Sequence, residues 1–355
     1  MQDIGSIFPI YDSDLAFESN DTINYNYKGR VDFSLCREAL YAIAKKHYDS
    51  NKKVLIPAYT CQTVIDPFVD QGWTCIYYNI GRDLRIDLQS LTHIFEKEKP
   101  AIVIVHPYLG MELNREEIGA LTSLRNQGCI LVKDLTQCIF SKNKENIFNY
   151  FIGSYRKWIN VPDGGFLEGS NIDGICIPEI DYQEFVNKQT DAMYLRGVYF
   201  QNSNEQLKAI SIRLYKDAVN SINIGYHLHR MSDISHRIWN NANLKYVQEK
   251  RISNYLYLHK NIRESEQIQL ITTSIEAVST APLYFPIYVR ERSRLQSLLA
   301  RNHIYAPVLW PVQTEEVLIN DGIKFIYDSI LMLPIDQRYD TRDMNRIIDI
   351  VNSYE

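Results

Sequence analysis

The sequence of 355 residues has no long apolar run, no N-terminal signal pattern and no large excess of charge. Its longest apolar stretches, such as residues 101–105, fall far short of the roughly 18 residues that a membrane-spanning helix needs. Neither a basic nor an apolar segment follows Met1, so we expect no secretory signal. The net charge of −5 gives no electrostatic footprint for nucleic acid. We therefore expect a cytoplasmic protein that binds neither membranes nor nucleic acids.

Cysteine is also scarce, with six residues and no CxxC pair. This usage predicts free thiols in a reducing compartment. His227, His229 and His236 lack a carboxylate at metal-ligand spacing, so we expect no metal site. Tyrosine, in contrast, is abundant, with 25 residues against 4 tryptophans. Such rings suit interfaces and polar clefts, but a compositional bias of the source explains the number equally well.

Short apolar runs alternate with amphipathic helical patterns in the first half of the chain. The predicted strands are residues 54–57, 75–78, 101–105 and 129–132, and the predicted helices are residues 38–48, 64–70, 87–98 and 115–125. This alternation predicts a parallel sheet with helices on both faces. Since ligands of such sheets bind beyond the carboxyl ends of the strands, we expect the chemistry there.

From about residue 150 the pattern changes. Two predicted strands, 151–154 and 166–168, flank a polar loop, and residues 182–264 are mostly helical. The last part predicts a small α/β unit, with strands at 284–289 and 330–334 and helices at 292–302 and 341–353. We therefore expect a large domain of residues 1–250, with an N-terminal arm of about residues 1–30, and a small domain of residues 251–355.

Three segments carry chemically interesting side chains, and each also has a plain structural interpretation. Asp134 ends a buried strand, and Gln137 three residues later makes a good capping box with it. Lys157 follows Ser154-Tyr155-Arg156, and Asp163-Gly164-Gly165 is also an ordinary turn signal. Residues 34–40 open a helix, for which Ser34 is a possible cap.

In order and separation these segments resemble the DegT/StrS-type sugar aminotransferases. An Asp-x-x-Gln segment, a lysine about two dozen residues later, and then an acidic residue with Gly-Gly are typical of that family. Further matching segments are Pro57-Ala58-Tyr59-Thr60, Val105-His106-Pro107-Tyr108-Leu109-Gly110, Gly225-Tyr226, Arg230-Met231-Ser232-Asp233 and Leu333-Pro334. The resemblance spans about residues 30–350, nearly the whole chain.

The resemblance implies a pyridoxal phosphate (PLP) enzyme of fold type I. The expected fold is a three-layer α/β large domain like that of aspartate aminotransferase, with a mainly parallel sheet, followed by a small C-terminal α/β domain. Lys157 is then the catalytic lysine, which holds the aldehyde of PLP as an aldimine and moves a proton once released. Asp134, the second catalytic residue, holds the proton on the pyridine nitrogen, and Gln137 hydrogen-bonds the ring oxygen.

The remaining expected cofactor contacts divide into a phosphate group and a ring group. Backbone amides at a helix start, hydroxyls and guanidinium groups bind phosphate, which points to Cys36, Arg37, Ser154 and Arg156. Arg156 also brings positive charge beside Lys157, which favours the neutral amine. The ring is expected against Tyr59, Cys61 or His106.

The chain departs from the family pattern at several of these positions. Leu35-Cys36-Arg37 replaces the usual Ser-Gly-Thr, and Cys61 stands where an aromatic residue is common. A family asparagine that reaches the partner subunit's cofactor has no match, and His227 or His229 is a candidate replacement. Tyr108, His227, His229 and Arg338 are candidate substrate contacts. Loops such as Leu309-Trp310-Pro311 close over the substrate in this fold.

The resemblance implies an aminotransferase that moves an amino group from an amino acid, by family habit glutamate, to a keto-sugar. The acceptor is expected to be nucleotide-linked, in surface polysaccharide or aminosugar biosynthesis, and the enzyme a homodimer with shared active sites. Two alternatives stay open. One is a PLP-dependent sugar dehydratase, which Lys157 disfavours because those relatives carry histidine there. The other is a non-catalytic binding protein with the same fold.

Overall fold

The computed structural model describes residues 2–16, 29–48, 50–141, 145–169, 172–175, 178, 180–222, 227–271, 280–312 and 314–354. Gly225 and Tyr226 of the matching segments lie outside the described residues, as does much of the expected N-terminal arm. The strands are β1 (Ile4–Gly5), β2 (Arg30–Phe33), β3 (Lys53–Pro57), β4 (Thr74–Tyr78), β5 (Ile102–Val105), β6 (Ile130–Asp134), β7 (Tyr150–Ser154), β8 (Gly165–Gly169), β9 (Ile268–Leu270), β10 (Phe285–Val289), β11 (Ile304–Tyr305) and β12 (Ile330–Leu333). The α-helices are α1 (Asp12–Leu15), α2 (Cys36–Lys46), α3 (Gln62–Asp70), α4 (Leu88–Glu98), α5 (Arg115–Asn126), α6 (Gln183–Asn202), α7 (Glu205–Ser221), α8 (Asp233–Asn241), α9 (Leu244–Asn261), α10 (Arg292–Arg301), α11 (Asp321–Ser329) and α12 (Thr341–Asn352).

The chain forms two compact units, each built from separate stretches. Unit 1 comprises residues 1–6, 49–149 and 244–355, and unit 2 comprises residues 7–48 and 150–243. The expected division into domains near residue 250 remains a prediction.

Unit 1 contains the parallel strands that the alternating pattern predicts. They lie in the order β6-β5-β3-β4, and most of their side chains are buried, with the exposed and half-buried ones mainly in the outer strand β4. β5 is fully buried and consists only of isoleucine and valine, which pack well on a sheet covered on both sides. Helices α4 and α5 start at side-chain caps, since Asp87 accepts from the Ser90 amide and Asn114 from the Glu117 amide, whereas Cys61 at the start of α3 makes no such bond.

The C-terminal part of unit 1 forms a second layered core. An antiparallel sheet in the order β12-β10-β9 packs its buried side chains with those of α9, α10 and α12. The N-terminal strand β1 pairs in parallel with β11, so the first residues of the chain belong to this core. The sequence patterns did not predict β1, β11 or α11.

Unit 2 is built differently. Its strands lie in the order β2-β8-β7 and are antiparallel throughout. The long helices α6 and α7 pack in an apolar cluster with Leu35, the residue directly before α2. The buried members of this cluster are Leu35, Phe185, Val186, Ala218 and Ile222. Within the residues that the structure describes, no helix in either unit has the length and apolarity to cross a bilayer.

Candidate active site

The carboxyl ends of the parallel strands in unit 1 bring polar and aromatic side chains to one edge of the sheet. Tyr59 and Thr60 follow β3, His106 and Tyr108 follow β5, and Asp134 is the last residue of β6. All five are buried, with 8% or less of each residue exposed. This is the edge where open α/β sheets bind ligands, as the sequence predicts.

A chain of hydrogen-bonding groups holds the Asp134 carboxylate in place. One oxygen accepts from the Thr136 amide at 2.9 Å, and the other lies 3.4 Å from Nδ1 of His106. Nε2 of His106 lies 2.9 Å from the Thr60 hydroxyl. A neutral His106 that carries its proton on Nδ1 satisfies both contacts, because it then donates to Asp134 and accepts from Thr60. His106 was one of three candidates for contact with the cofactor ring; the structure shows its contact with Asp134, and the ring contact remains a prediction.

Gln137 ends the short 3₁₀ turn after Asp134, and its contact differs from the expected capping box. Its Oε1 accepts from the Leu109 amide at 2.9 Å, so it reaches the segment that follows β5. Leu109 and Gly110 have positive φ angles of 53° and 84°, and the Thr280 hydroxyl donates to the Gly110 carbonyl. Gln137 therefore fixes a tightly turned loop beside Asp134.

Aromatic rings form one wall of this edge. The Tyr59 ring centroid lies 4.7 Å from that of Trp310 and 5.0 Å from that of Tyr327. Tyr108 donates its hydroxyl to the Tyr59 carbonyl, and its ring lies 6.0 Å from Trp310. Burial raises the pKa of Tyr59, whose hydroxyl has no hydrogen-bond partner among the described residues.

Cys61 lies beside this wall at the N-cap of α3 and is half-buried. Its Sγ accepts a hydrogen bond from the Thr63 hydroxyl at 3.0 Å. Tyr327 is a member of the wall that sequence reasoning missed, because α11 gave no recognised helical pattern. Trp310 was noticed only as part of a loop that closes over substrate.

In unit 2, Lys157 lies in a short 3₁₀ turn, Tyr155–Lys157, directly after β7. Ser154 ends the strand and is buried, whereas Arg156 and Lys157 are half-buried. The Tyr155 ring packs against Trp239, with centroids 4.1 Å apart, and its backbone amide donates to the Gly164 carbonyl at 3.1 Å. The turn that carries the lysine is thus held by a buried ring and by the start of β8.

The start of α2 lies against the start of β8. Leu35 rather than Ser34 is the N-cap residue, so no side-chain acceptor caps the helix, contrary to the interpretation of Ser34 as a cap. A Cβ atom added to Gly165 would lie 2.4 Å from the Cys36 nitrogen, so only glycine allows this close approach.

Positive charge collects at the same place. Burial lowers the pKa of Arg156, the charges of Tyr215 and Asp163 oppose that change, and the charge of Arg37 adds to it, so the two guanidinium groups lie within electrostatic reach of each other. Two neighbouring guanidinium groups at a helix N-terminus, next to the Ser154 hydroxyl, suit a doubly charged anion such as a phosphate ester. The structure therefore brings together the phosphate candidates Cys36, Arg37, Ser154 and Arg156.

Two candidate substrate contacts have protein partners. In unit 2, Nδ1 of His229 lies 3.2 Å from Glu38, its amide donates to the same carboxylate, and its ring stacks on Tyr182 at 4.5 Å. The His227 ring lies 6.4 Å from the His229 ring.

In unit 1, Arg338 binds Asp336 through Nε at 2.7 Å and Nη2 at 2.8 Å. A substrate anion at Arg338 would compete with Asp336. The substrate roles of His227, His229, Arg338 and Tyr108 remain predictions.

No protein-family model matches the sequence, and a search of curated proteins finds no match. Solved structures do match. PseC of Helicobacter pylori, an aminotransferase involved in the biosynthesis of pseudoaminic acid, is 11% identical, with 99% of this chain and 98% of PseC covered and a TM-score of 0.68.

A putative sugar aminotransferase of Streptococcus pneumoniae in its PLP form is 14% identical, with the same coverage and TM-score. The sugar aminotransferase CalS13 of Micromonospora echinospora is 13% identical, with 92% of this chain and 87% of CalS13 covered and a TM-score of 0.64. At these identities the likeness concerns the fold, and it confirms the α/β fold with a mainly parallel sheet that the sequence predicts. The chain has the fold of the sugar aminotransferases.

Proposed function

We propose that this protein is a PLP-dependent aminotransferase that moves an amino group from an amino acid, with glutamate the expected donor, to a keto-sugar. The observation that carries the proposal is Asp134, a buried carboxylate fixed at the end of β6 by His106 and the Thr136 amide, in a chain with the fold of sugar aminotransferases. We also propose that the acceptor is nucleotide-linked and serves surface polysaccharide or aminosugar biosynthesis. The names of the structural neighbours support a sugar as the amino acceptor, and the sequence resemblance supports its linkage to a nucleotide.

The residues present fit PLP. Asp134 offers a carboxylate for the pyridine nitrogen, and the rings of Tyr59 and Trp310 lie beside the same strand ends. The amides at the start of α2, with Arg37 and Arg156, fit the phosphate. Once bound, PLP would supply an electron sink for breaking bonds at the amino carbon of the substrate.

The side chains then have separate tasks. Asp134 would hold the proton on the pyridine nitrogen, and His106 with Thr60 would keep that carboxylate aligned. Lys157 Nζ would bind the aldehyde of the cofactor and, once released, would move a proton during the transfer. We further propose a cytoplasmic homodimer with shared active sites, supported by the free thiols and by the sequence resemblance.

Lys157→Ala tests the assignment. Wild-type protein with added PLP is expected to absorb at roughly 410–430 nm and to retain the cofactor after borohydride reduction, and the variant is expected to do neither. Lys97→Ala, at a side chain that is 71% exposed, is the matched control and is expected to behave like wild type. Identical binding and reduction in wild type and Lys157→Ala would refute the role of Lys157.

The reaction itself is tested by release of 2-oxoglutarate from glutamate in the presence of candidate nucleotide-linked keto-sugars. Sugar-dependent release supports amine transfer. Binding of PLP without a half-reaction with any amino acid would instead favour the non-catalytic alternative.

A further inference from the structure

Asp163 is the most completely buried carboxylate near the Lys157 turn, and the proposed chemistry does not use it. It is 0% exposed, its carboxylate accepts hydrogen bonds from Ser232 and Ser235, and its charge raises the pKa of the Arg156 guanidinium against the effect of burial. The Ser232 amide donates at 3.0 Å, the Ser232 hydroxyl at 2.6 Å and the Ser235 hydroxyl at 2.5 Å. Its own amide donates to the Ser235 hydroxyl at 3.2 Å.

A buried carboxylate costs free energy unless several donors offset the loss of water. Burial does raise the pKa of Asp163, while the hydrogen bonds from Ser232 and Ser235 oppose that rise. The contacts of this carboxylate with Ser232 and Ser235 show which segment it holds in place.

The donors to Asp163 belong to the start of α8. Ser232 is the N-cap residue of that helix. The segment before it lies against the end of β2, because the Ser34 amide donates to the His229 carbonyl at 2.8 Å. Asp163 therefore ties the approach to β8 to the loop that crosses the end of β2.

The two residues after Asp163 pass this constraint to the expected phosphate site. The Gly164 amide donates to the Ser34 carbonyl at 2.6 Å, directly before α2. Gly164 has a φ of 130°, and a Cβ there would lie 2.9 Å from the Tyr155 ring. Gly165 then lies against the Cys36 nitrogen, as described above. The run from Asp163 to Gly165 thus contacts α8, the approach to α2 and the lysine turn within unit 2.

We propose that Asp163 is a positioning residue for phosphate binding: by anchoring Gly164 and Gly165 it sets the start of α2, where the backbone amides and Arg37 meet the phosphate of the cofactor. This inference rests on the proposed function, since it assumes that PLP is the ligand. It assigns Asp163 no contact with the cofactor and no proton transfer.

The test compares PLP with pyridoxal, which has the same ring and aldehyde but no phosphate. Asp163→Asn keeps the shape and replaces one acceptor oxygen with a donor. At the position of Oδ2 this donor would face the Ser232 amide, and at the position of Oδ1 it would face the hydroxyls of Ser232 and Ser235. We expect the Kd for PLP to rise about tenfold or more, which corresponds to one lost hydrogen bond to a charged group. The Kd for pyridoxal, measured by absorbance, is expected to stay within about threefold of the wild-type value, because pyridoxal has no phosphate for the start of α2 to bind.

Two further variants separate positioning from simple destabilisation. Ser235→Ala removes one donor and is expected to shift the ratio of the two dissociation constants in the same direction by a smaller amount, so the test survives if Asp163→Asn does not fold. Ser211→Ala is the matched control: it removes a buried hydroxyl that donates to the Ala192 carbonyl at 2.7 Å between α6 and α7. It is expected to lower the unfolding temperature but to leave the ratio unchanged.

The outcomes are distinct. Equal weakening of PLP and pyridoxal binding in Asp163→Asn, or an unchanged ratio in both variants, overturns the positioning role and leaves the proposed function standing. Binding of neither compound by the wild-type protein refutes the proposed function itself.

Discussion

The two units carry different kinds of candidate ligand-binding groups. Unit 1 offers rings and a single oriented carboxylate at the ends of parallel strands, and its contacts run from side chain to side chain, as in Thr60, His106 and Asp134. Unit 2 offers backbone amides, hydroxyls and guanidinium groups beside an antiparallel sheet, and its geometry depends on where glycine allows close approach. The first arrangement suits recognition of a ring, and the second suits recognition of an anion.

This difference has a practical consequence. Under the proposed function, recognition of a ring by unit 1 would depend on the chemical identity of a few side chains, so replacing one of them would remove a specific interaction. Recognition of an anion by unit 2 would depend largely on the position of the backbone, so it would be sensitive to residues that never touch the ligand.

The largest effect is expected for Asp134→Ala, which removes the charged group of unit 1. Turnover with glutamate and a keto-sugar acceptor is expected to fall by about 10²–10³-fold, the usual cost of deleting one preorganised electrostatic contact. The turnover of Asp134→Asn is expected to fall almost as far, because asparagine keeps the shape of the side chain but lacks its charge. PLP and pyridoxal binding are expected to weaken together, unlike the selective loss in Asp163→Asn.

The matched control for this comparison is Asp70→Ala, at an exposed carboxylate at the end of α3. Its steady-state kinetics are expected to equal those of the wild type. Turnover within threefold of wild type in Asp134→Ala would show that unit 1 does not act through this carboxylate.

The next effect is expected for Gly165→Ala, which tests the backbone geometry of unit 2. The new Cβ would lie 2.4 Å from the Cys36 nitrogen, so backbone must move, and we expect the free energy of unfolding to fall by about 1–3 kcal/mol. Gly119→Ala is the control, because its Cβ meets nothing within 4 Å in the interior of α5, and there alanine is expected to stabilise by about 0.5–1 kcal/mol. Urea denaturation measures the free energy of unfolding of each variant. Equal values for the two variants would contradict the close approach of Gly165 to the Cys36 nitrogen.

The parts of this fold that local patterns could predict are those in which the core is built from consecutive elements. The strand that ends at Asp134 and the helices around it were predicted because buried β-branched runs alternate with capped amphipathic helices. Lys157 was assigned from its spacing to Asp134 in a resemblance, and periodicity alone would not have distinguished it from other lysines.

The parts that could not be predicted depend on contacts between distant residues. Strand β2 is short and pairs antiparallel with β8, more than a hundred residues later, so no local pattern marks it. The contact between His106 and Asp134 and the ring of Trp310 beside Tyr59 arise only when separate strand ends and loops meet. Likewise, the side chain that partners His229 is Glu38, 191 residues away.

The smallest effect concerns this Glu38–His229 pair in unit 2 and depends on pH. Burial raises the pKa of Glu38 above its usual 4.5, and the contacts with His229 only partly oppose that rise. Between the ordinary and the raised value the folded state binds a proton that the unfolded state has released, so this group's contribution to stability falls as the pH rises through that window. Glu38→Gln has no such proton, and wild-type stability relative to the variant is therefore expected to increase as the pH is lowered from 7 towards 5. The change in the Tm difference is expected to be about 2 °C, within the range that roughly 1 kcal/mol produces in a large domain. A Tm difference that is independent of pH would show that the pKa of Glu38 is the same in the folded and unfolded states, which would contradict the expected effect of burial.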